Sequence, residues 1–272
     1  MGKSRGESDG NFLARGGAVP MVTIKTEKEI NLIRASSKIV ADVLRLLEKQ
    51  ITHGITTKEL DDLAEDFIQS SGGIPAFKGY GNDRHNLYPA SICVSVDDEV
   101  VHGIPGKRVL KEGEIVSVDV GVLKNGFFGD GASTFPVGKV SEGKARLMKI
   151  TREALDKGVE QAVEGNYLHD ISSAVQQHVE AAGFSVVRDL VGHGIGRELH
   201  EDPPVPNYGK ARTGLKLKEG MTLAVEPMVN FGIYKVLTAP DGWTIQTADG
   251  EPSAHYEHTV VVRQHKAEIL TQ

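Results

Sequence analysis

The sequence predicts an α+β domain whose helices pack on one face of a mostly antiparallel sheet. Three observations lead there. Two stretches of the chain follow the same plan, a pair of helices followed by strands. A period-2 valine alternation ends on Asn125-Gly126, a strong hairpin signal. No apolar run approaches the roughly 20 residues that span a bilayer.

The elements follow in order. Ile30, Ile33, Val40, Leu44 and Leu47 recur at helical spacing, so a helix is expected from Glu27 to Lys49. A second should run from Thr57 to Ser70, capped by Thr56 or Thr57 and closed by Gly72-Gly73. Helices over Glu142–Val163 and Leu168–Ala182 repeat the plan. Gly54, Leu60, Ile68 and Gly72 match Gly165, Ile171, Val179 and Gly183 at a constant offset of 111. That pattern is expected of a duplication, with two unrelated helical hairpins as the alternative. Strands are expected at 91–101, 115–123, 127–136, 185–191, 222–229 and 256–263.

Residues 1–20 are polar and glycine-rich without the apolar stretch of a signal peptide. Gly6 stands where a myristoylation motif needs Ser or Thr. They read as a flexible arm ahead of a single domain over 21–272. Hydrophobic content of 39% and charged content of 25% describe an ordinary soluble globular chain. The net charge of -6 argues against a general nucleic-acid binder, and no membrane segment is expected. With Cys93 as the one cysteine an internal disulfide is impossible, which suits the reducing cytoplasm.

Val116, Val118, Val120 and Val122 alternate with Ser117, Asp119 and Gly121. If Asn125-Gly126 forms a two-residue turn, Lys124 pairs with Phe127, Asp130 lies opposite Gly121, and Asp119 opposite Ala132. The aspartates then share a face as diagonal neighbours about 7–8 Å apart, with Gly121 leaving that face open. Like charges so placed repel, and a shared cation would resolve the conflict. Each aspartate alone is an ordinary solvated charge, and an odd-length loop would turn Asp130 to the other face.

Further acids lie in "GMTLAVEPMVN" (Glu226) and "SAHYEHTVVV" (Glu257). In the latter, Glu257 and Thr259 share one face, and Tyr256, His258 and Val260 the other. His193 and His200 sit in "VGHGIGRELHEDPPVPNY", where three glycines make a helix unlikely. Each acid alone is an ordinary strand-edge charge. Four carboxylates with one imidazole form the oxygen-rich set that two bridged divalent ions favour, whereas a structural zinc site favours thiolates and histidines.

"VVHGIP", "VSVDVG", "GDGASTF", "GHGIGRELHEDPPVPNY", "AVEPMV" and "YEHTVVV" together resemble the successive signature segments of type I methionine aminopeptidases, from about Val22 to Ile269. The resemblance implies the pita-bread fold, a pseudo-twofold α+β domain. It implies five metal ligands, Asp119, Asp130, His193, Glu226 and Glu257, holding two divalent ions drawn from cobalt, manganese, iron or zinc. It puts His102 and His200 against the substrate, with Glu226 as proton shuttle. Phe77, Tyr88, Cys93 and Trp243 become candidate walls of an apolar pocket for the first side chain, though each fits a core role equally well. The glycines of the histidine segment would let backbone and peptide come close. The implied activity is removal of N-terminal methionine before a small second residue, from nascent polypeptides at or near the ribosome, by a monomer.

Some positions depart from the commonest pattern. "GNDRHNL" lengthens the loop between Tyr80 and Tyr88, Leu190 and Leu199 replace aromatics, and Phe77 replaces a smaller residue. Creatinases, aminopeptidase P and prolidase resemble the same fold but usually carry a substantial N-terminal domain. A catalytically dead binding module is the rival from another class.

Overall fold

Each half of the chain opens on a capped helix pair. The computed structural model describes residues 22–272; the arm expected at 1–20 lies outside the described residues. Thr26 caps α1 (Glu27–Glu48) by accepting from the backbone N of Glu29 at 3.3 Å, while the Glu29 carboxylate accepts from the backbone N of Thr26 at 3.0 Å. Thr56 and Glu59 form the same reciprocal pair ahead of α2 (Thr57–Ser70). Losing such a cap costs a helix about 1 kcal/mol.

The first half continues through β1 (Ile74–Pro75), β2 (Cys93–Val96), β3 (Glu99–Val101), β4 (Ile115–Lys124) and β5 (Phe127–Pro136). The second starts with α3 (Glu142–Gln161) and α4 (Leu168–Ala181). Short strands follow: β6 (Ser185–Val186), β7 (Val191–Gly194), β8 (Glu201–Pro206), β9 (Thr222–Val225) and β10 (Met228–Asn230). The last are β11 (Val236–Thr238), β12 (Ile245–Thr247), β13 (Ser253–His255), β14 (His258–Val261) and β15 (Glu268–Ile269).

The duplication is visible in backbone detail. Helices α2 and α4 keep the offset of 111 at both ends. Gly54 and Gly165 share a left-handed conformation, with φ of 99° and 92°. Gly54 N donates to Leu110 O (2.9 Å) and Leu110 N to Ile55 O (2.8 Å); Gly165 N donates to Leu217 O (3.1 Å) and Leu217 N to Asn166 O (2.7 Å). Two unrelated hairpins would not reproduce that lattice. The family-type pseudo-twofold is therefore present.

Strands named as neighbours pair antiparallel throughout, in sheets ordered β1-β4-β2 with β5 on β4, β13-β10-β6, β11-β12-β3 and β15-β14-β9-β7-β8. Val116, Val118, Val120 and Val122 are buried under α1 and α2, which form a core with Val40, Leu44, Leu47 and Leu60. Helices α3 and α4 cover Leu223, Val225, Val229, Tyr256 and Val260 in a second core. The β4–β5 hairpin is gripped from outside by α1. Ser36 Oγ donates to Phe127 O at 2.7 Å, and a Cβ at Gly129 would lie 2.5 Å from Ser37 N.

Several expected strands prove to be broken. The 91–101 segment turns at Asp97, whose φ is 54°, into β2 and β3. The 185–191 segment divides into β6 and the start of β7, and 222–229 divides at Glu226-Pro227 into β9 and β10. Of the 256–263 segment only His258–Val261 is strand, and the short β1, β8, β11, β12, β13 and β15 were not expected. Proline, which cannot donate to a ladder, accounts for the break at Pro227 and for β8 going unexpected, since β8 holds Pro203, Pro204 and Pro206.

Candidate metal centre

The β4–β5 register is the one the turn chemistry dictates. Lys124 pairs with Phe127, Gly121 with Asp130, and Asp119 with Ala132. Asn125 and Gly126 have φ of 54° and 78°, both in the left-handed region of a primed hairpin turn. Asp119 and Asp130 therefore share the face turned away from α1. The space above Gly121 is not open, however. A Cβ there would lie 2.7 Å from Phe77, so the glycine makes room for that ring.

The second half brings the other donors to the same place. Asp119 lies nine residues past Leu110 and Glu226 nine past Leu217, so the pseudo-twofold relates them. Glu226 sits at the β9–β10 break, and Glu257 between β13 and β14. The seam between the halves is hydrogen-bonded. Asp130 N donates to Thr259 Oγ1 (3.1 Å), Thr259 Oγ1 donates back to Asp130 O (2.7 Å), and Glu257 N donates to Ala132 O (2.9 Å). His193 comes from β7, which packs on β9 and β8. A Cβ at Gly192 would meet Ala224 O at 2.4 Å, and one at Gly194 Asp202 O at 2.2 Å. The glycines of this segment let the protein's own strands and side chains pack closely. Gly196 is filled in the same way by the Lys25 side chain.

The donor set is electrostatically unsatisfied as it stands. His193 Nδ1 donates to Gly194 O at 2.9 Å, since a carbonyl can only accept. That leaves the Nε2 lone pair facing Glu226 Oε1 at 3.5 Å and Asp130 Oδ2 at 3.9 Å. Burial, with His200 alongside, pushes His193 down to about 3, so the ring is neutral at physiological pH. Burial raises the carboxyls of Asp130 and Glu257 well above their ordinary range, reinforced by their acidic neighbours. Burial also raises Asp119 to about 7 and Glu226 to about 8. Asp119 Oδ1 and Glu257 Oε1 are buried with no hydrogen-bond partner among the described residues. Lone pairs facing lone pairs in a buried site are relieved either by protons, as the raised carboxyls show, or by a cation. Asp130, His193 and Glu257 have metal-ligand spacing, as do Glu226, His255 and Glu257. These residues fit divalent metal.

The pocket candidates gather beside this cluster. Phe77, Tyr88 and Cys93 are buried together with Ile195 and Leu199, and Trp243 packs on the group. Tyr88 meets Trp243 edge-on with centroids 5.3 Å apart, and Cys93 pairs with Asp119 across β2 and β4. Burial, with Asp119 close by, raises the Cys93 thiol well above its ordinary value, so it stays protonated and unreactive. The extra loop is fastened to Trp243, whose Nε1 donates to Asn86 O at 3.2 Å. His200 lies at the exposed rim, its ring 4.3 Å from that of His193 and its Nδ1 2.6 Å from the Tyr80 hydroxyl. His102, half-buried after β3 with φ of 59°, is lowered to about 4 by burial and by its neighbours His255 and His200.

Two residues at the site were not anticipated, Tyr80 and His255. The period-2 reading that paired Glu257 with Thr259 also puts His255 on that face, so a signal was there. Tyr80 had none, because a loop tyrosine finds its partner only in three dimensions.

A metal-ready cluster of this kind at the seam of a duplicated α+β fold defines a metallohydrolase. The chain belongs to metallopeptidase family M24, whose model matches residues 31–264. Within it the chain falls among the methionine aminopeptidases. It is 54% identical over 252 residues to the methionine aminopeptidase of Clostridium perfringens, covering 92% of this chain and 99% of that one. The crystal structure of the Thermotoga maritima methionine aminopeptidase matches with a TM-score of 0.90 at 47% identity, covering 93% and 100% of the two chains. The prolidase of Pyrococcus furiosus shares the fold, with a TM-score of 0.73 at 24% identity, but this chain covers only 65% of it. No helix among the described residues is long and apolar enough to cross a membrane.

Proposed function

We propose that this metallo-aminopeptidase removes the N-terminal methionine of polypeptides whose second residue is small, using two divalent ions held by Asp119, Asp130, His193, Glu226 and Glu257. The observation that carries the reading is the buried cluster of four carboxylates facing a neutral His193, with Asp119 Oδ1 and Glu257 Oε1 unpartnered, beside an apolar cluster of side chains. Cobalt, manganese, iron and zinc all suit such donors. The substrates are the N-termini of nascent polypeptides at or near the ribosome, met in the cytoplasm by a monomer whose catalytic domain spans 21–272.

Metal bound there would lower the pKa of a water and polarise the peptide carbonyl. The chain's own residues do the rest. Phe77, Tyr88, Cys93 and Trp243 hold the methionine side chain. Asp119 orients the free α-amine, which makes the enzyme an exopeptidase. With the Tyr80 hydroxyl acting as donor to His200 Nδ1 at 2.6 Å, His200 Nε2 keeps its hydrogen and donates to the carbonyl oxygen as charge develops. His102 hydrogen-bonds the scissile nitrogen. Glu226 takes a proton from the attacking water and passes it to that nitrogen as the C–N bond breaks, leaving methionine and a shortened peptide.

A tripeptide panel read by mass spectrometry tests specificity. Met-Gly, Met-Ala and Met-Ser peptides should be cleaved, and Met-Lys and Met-Phe left nearly intact. Leucine or norleucine in first place should be poorer yet detectable, because an apolar pocket separates near-isosteres by only about 1–3 kcal/mol. Preferential cleavage of Ala-Pro or Arg-Pro peptides would place the specificity with the prolidase-like members instead.

A further inference from the structure

His255 is the imidazole at this centre that the five-ligand reading leaves without a task. It is 1% exposed, and its Nε2 is buried without a hydrogen-bond partner. Its backbone is fixed on both sides, with N donating to Thr134 Oγ1 at 2.9 Å and O accepting from the same hydroxyl at 2.8 Å. So held, the ring aims Nε2 at Glu226 Oε2, 3.6 Å away, while His193 Nε2 faces Oε1 of the same carboxylate at 3.5 Å. One carboxylate is flanked by two imidazoles.

The two rings differ in what holds their protons. In His193 the Gly194 carbonyl keeps the hydrogen on Nδ1, which frees Nε2 for a metal. Among the described residues no such acceptor binds Nδ1 of His255, whose hydrogen bonds to Thr134 are backbone ones. The group facing Nε2 is instead Glu226, which when ionised, as a metal ligand must be, can only accept and so favours the tautomer with hydrogen on Nε2. We propose that His255 is a positioning residue. Its Nε2–H holds one oxygen of Glu226 and so aims the other at the metal and the reacting water. A small movement of either side chain closes 3.6 Å to hydrogen-bond distance. The inference rests on Glu226 acting as ligand and proton shuttle.

The test compares full-length His255→Leu and His255→Gln with the parent, also in a Glu226→Gln background. Affinity for manganese(II) chloride is measured by calorimetry, and kcat and KM on Met-Ala-Ser. Removing a partner of this kind costs about 10–100-fold. His255→Leu should lose that much in manganese affinity and in kcat, with KM little changed. His255→Gln should recover most of both, because its amide can still donate to Glu226. In the Glu226→Gln background, His255→Leu should leave manganese affinity where it was. A glutamine variant as weak as the leucine one would show that His255 is itself a ligand and overturn the proposal. So would a leucine variant equal to the parent, or a full leucine effect without Glu226. Should the leucine variant not fold, the glutamine variant decides: affinity near the parent's upholds the proposal, and a tenfold loss overturns it. Failure of the underlying reading looks different, since Glu226→Gln would then turn over peptide at the parent rate.

Discussion

The two halves share a scaffold but place their candidate metal donors by different means. In the first, Asp119 and Asp130 sit on one long regular hairpin, so strand periodicity and one turn determine where both point. In the second, His193, Glu226 and Glu257 sit at the ends and breaks of short strands. Their directions depend on the Glu226-Pro227 interruption and on glycines that let β7 close on its neighbours. Repeated topology thus need not mean repeated local chemistry. One half offers a rigid rail, and the other supplies donors that can be aimed individually.

The largest expected effect tests whether both halves are needed. Asp119→Asn and Glu226→Gln, at equivalent positions of the repeat, should each keep the fold and lose activity by on the order of 10³-fold or more, the several kcal/mol that metal supplies. Far-ultraviolet dichroism and peptide turnover check both. A parent-like rate for Asp119→Asn would show that the hairpin aspartates do not share a cation.

His200→Ala should cost on the order of 10²–10³ in kcat, the usual loss of a donor to a developing oxyanion. Metal content by mass spectrometry should not change. Loss of a stoichiometric metal would mean that the roles of His193 and His200 are exchanged.

A smaller effect concerns the metal-free protein. Asp119 and Glu226 are raised to about 7 and 8 in the fold, so these carboxyls bind more protons folded than unfolded across that range. The sign follows: their contribution is complete at low pH and is lost as pH rises through 7 to 8. His193 and His102, lowered to about 3 and 4, act oppositely, but their gain is complete once pH passes the unfolded histidine value near 6.5. The chelated protein should therefore show a falling Tm between about pH 6.5 and 8.5, by about 2–4 °C for each kcal/mol lost. Divalent metal should flatten the curve. A flat curve in chelator would sink the claim of unsatisfied charge.

The smallest effect sharpens the duplication itself. A Cβ at Gly54 or Gly165 would meet nothing within 4 Å, so alanine there pays only for its positive φ. Each substitution should cost about 1–2 kcal/mol in urea unfolding, and nearly the same amount in both halves.

How much was legible follows the same division. Four helices and the β4–β5 register could be read because caps, periodicity and Asn125-Gly126 are local signals. The resemblance named the donors of the second half, but spacing alone could not aim them. Their orientation comes from contacts between distant segments, such as Gly194 against Asp202. The pairing of Tyr80 with His200, and of Phe77 with the space above Gly121, is long-range in the same sense.

The hydrogen-bonded seam has a consequence for the order of assembly. Thr259 clasps Asp130, and Glu257 clasps Ala132, across more than a hundred residues of chain. As synthesis proceeds, the hairpin can form early, yet its paired aspartates lack Glu257 as a companion donor until the β14 strand arrives. Closure across so long a loop is a slow event, and it is the one that completes the donor set. An ion captured at that moment would stabilise only the closed form, by an amount growing with the logarithm of its concentration over its Kd. Such an ion would act as a latch between the halves before it ever acted as a reagent.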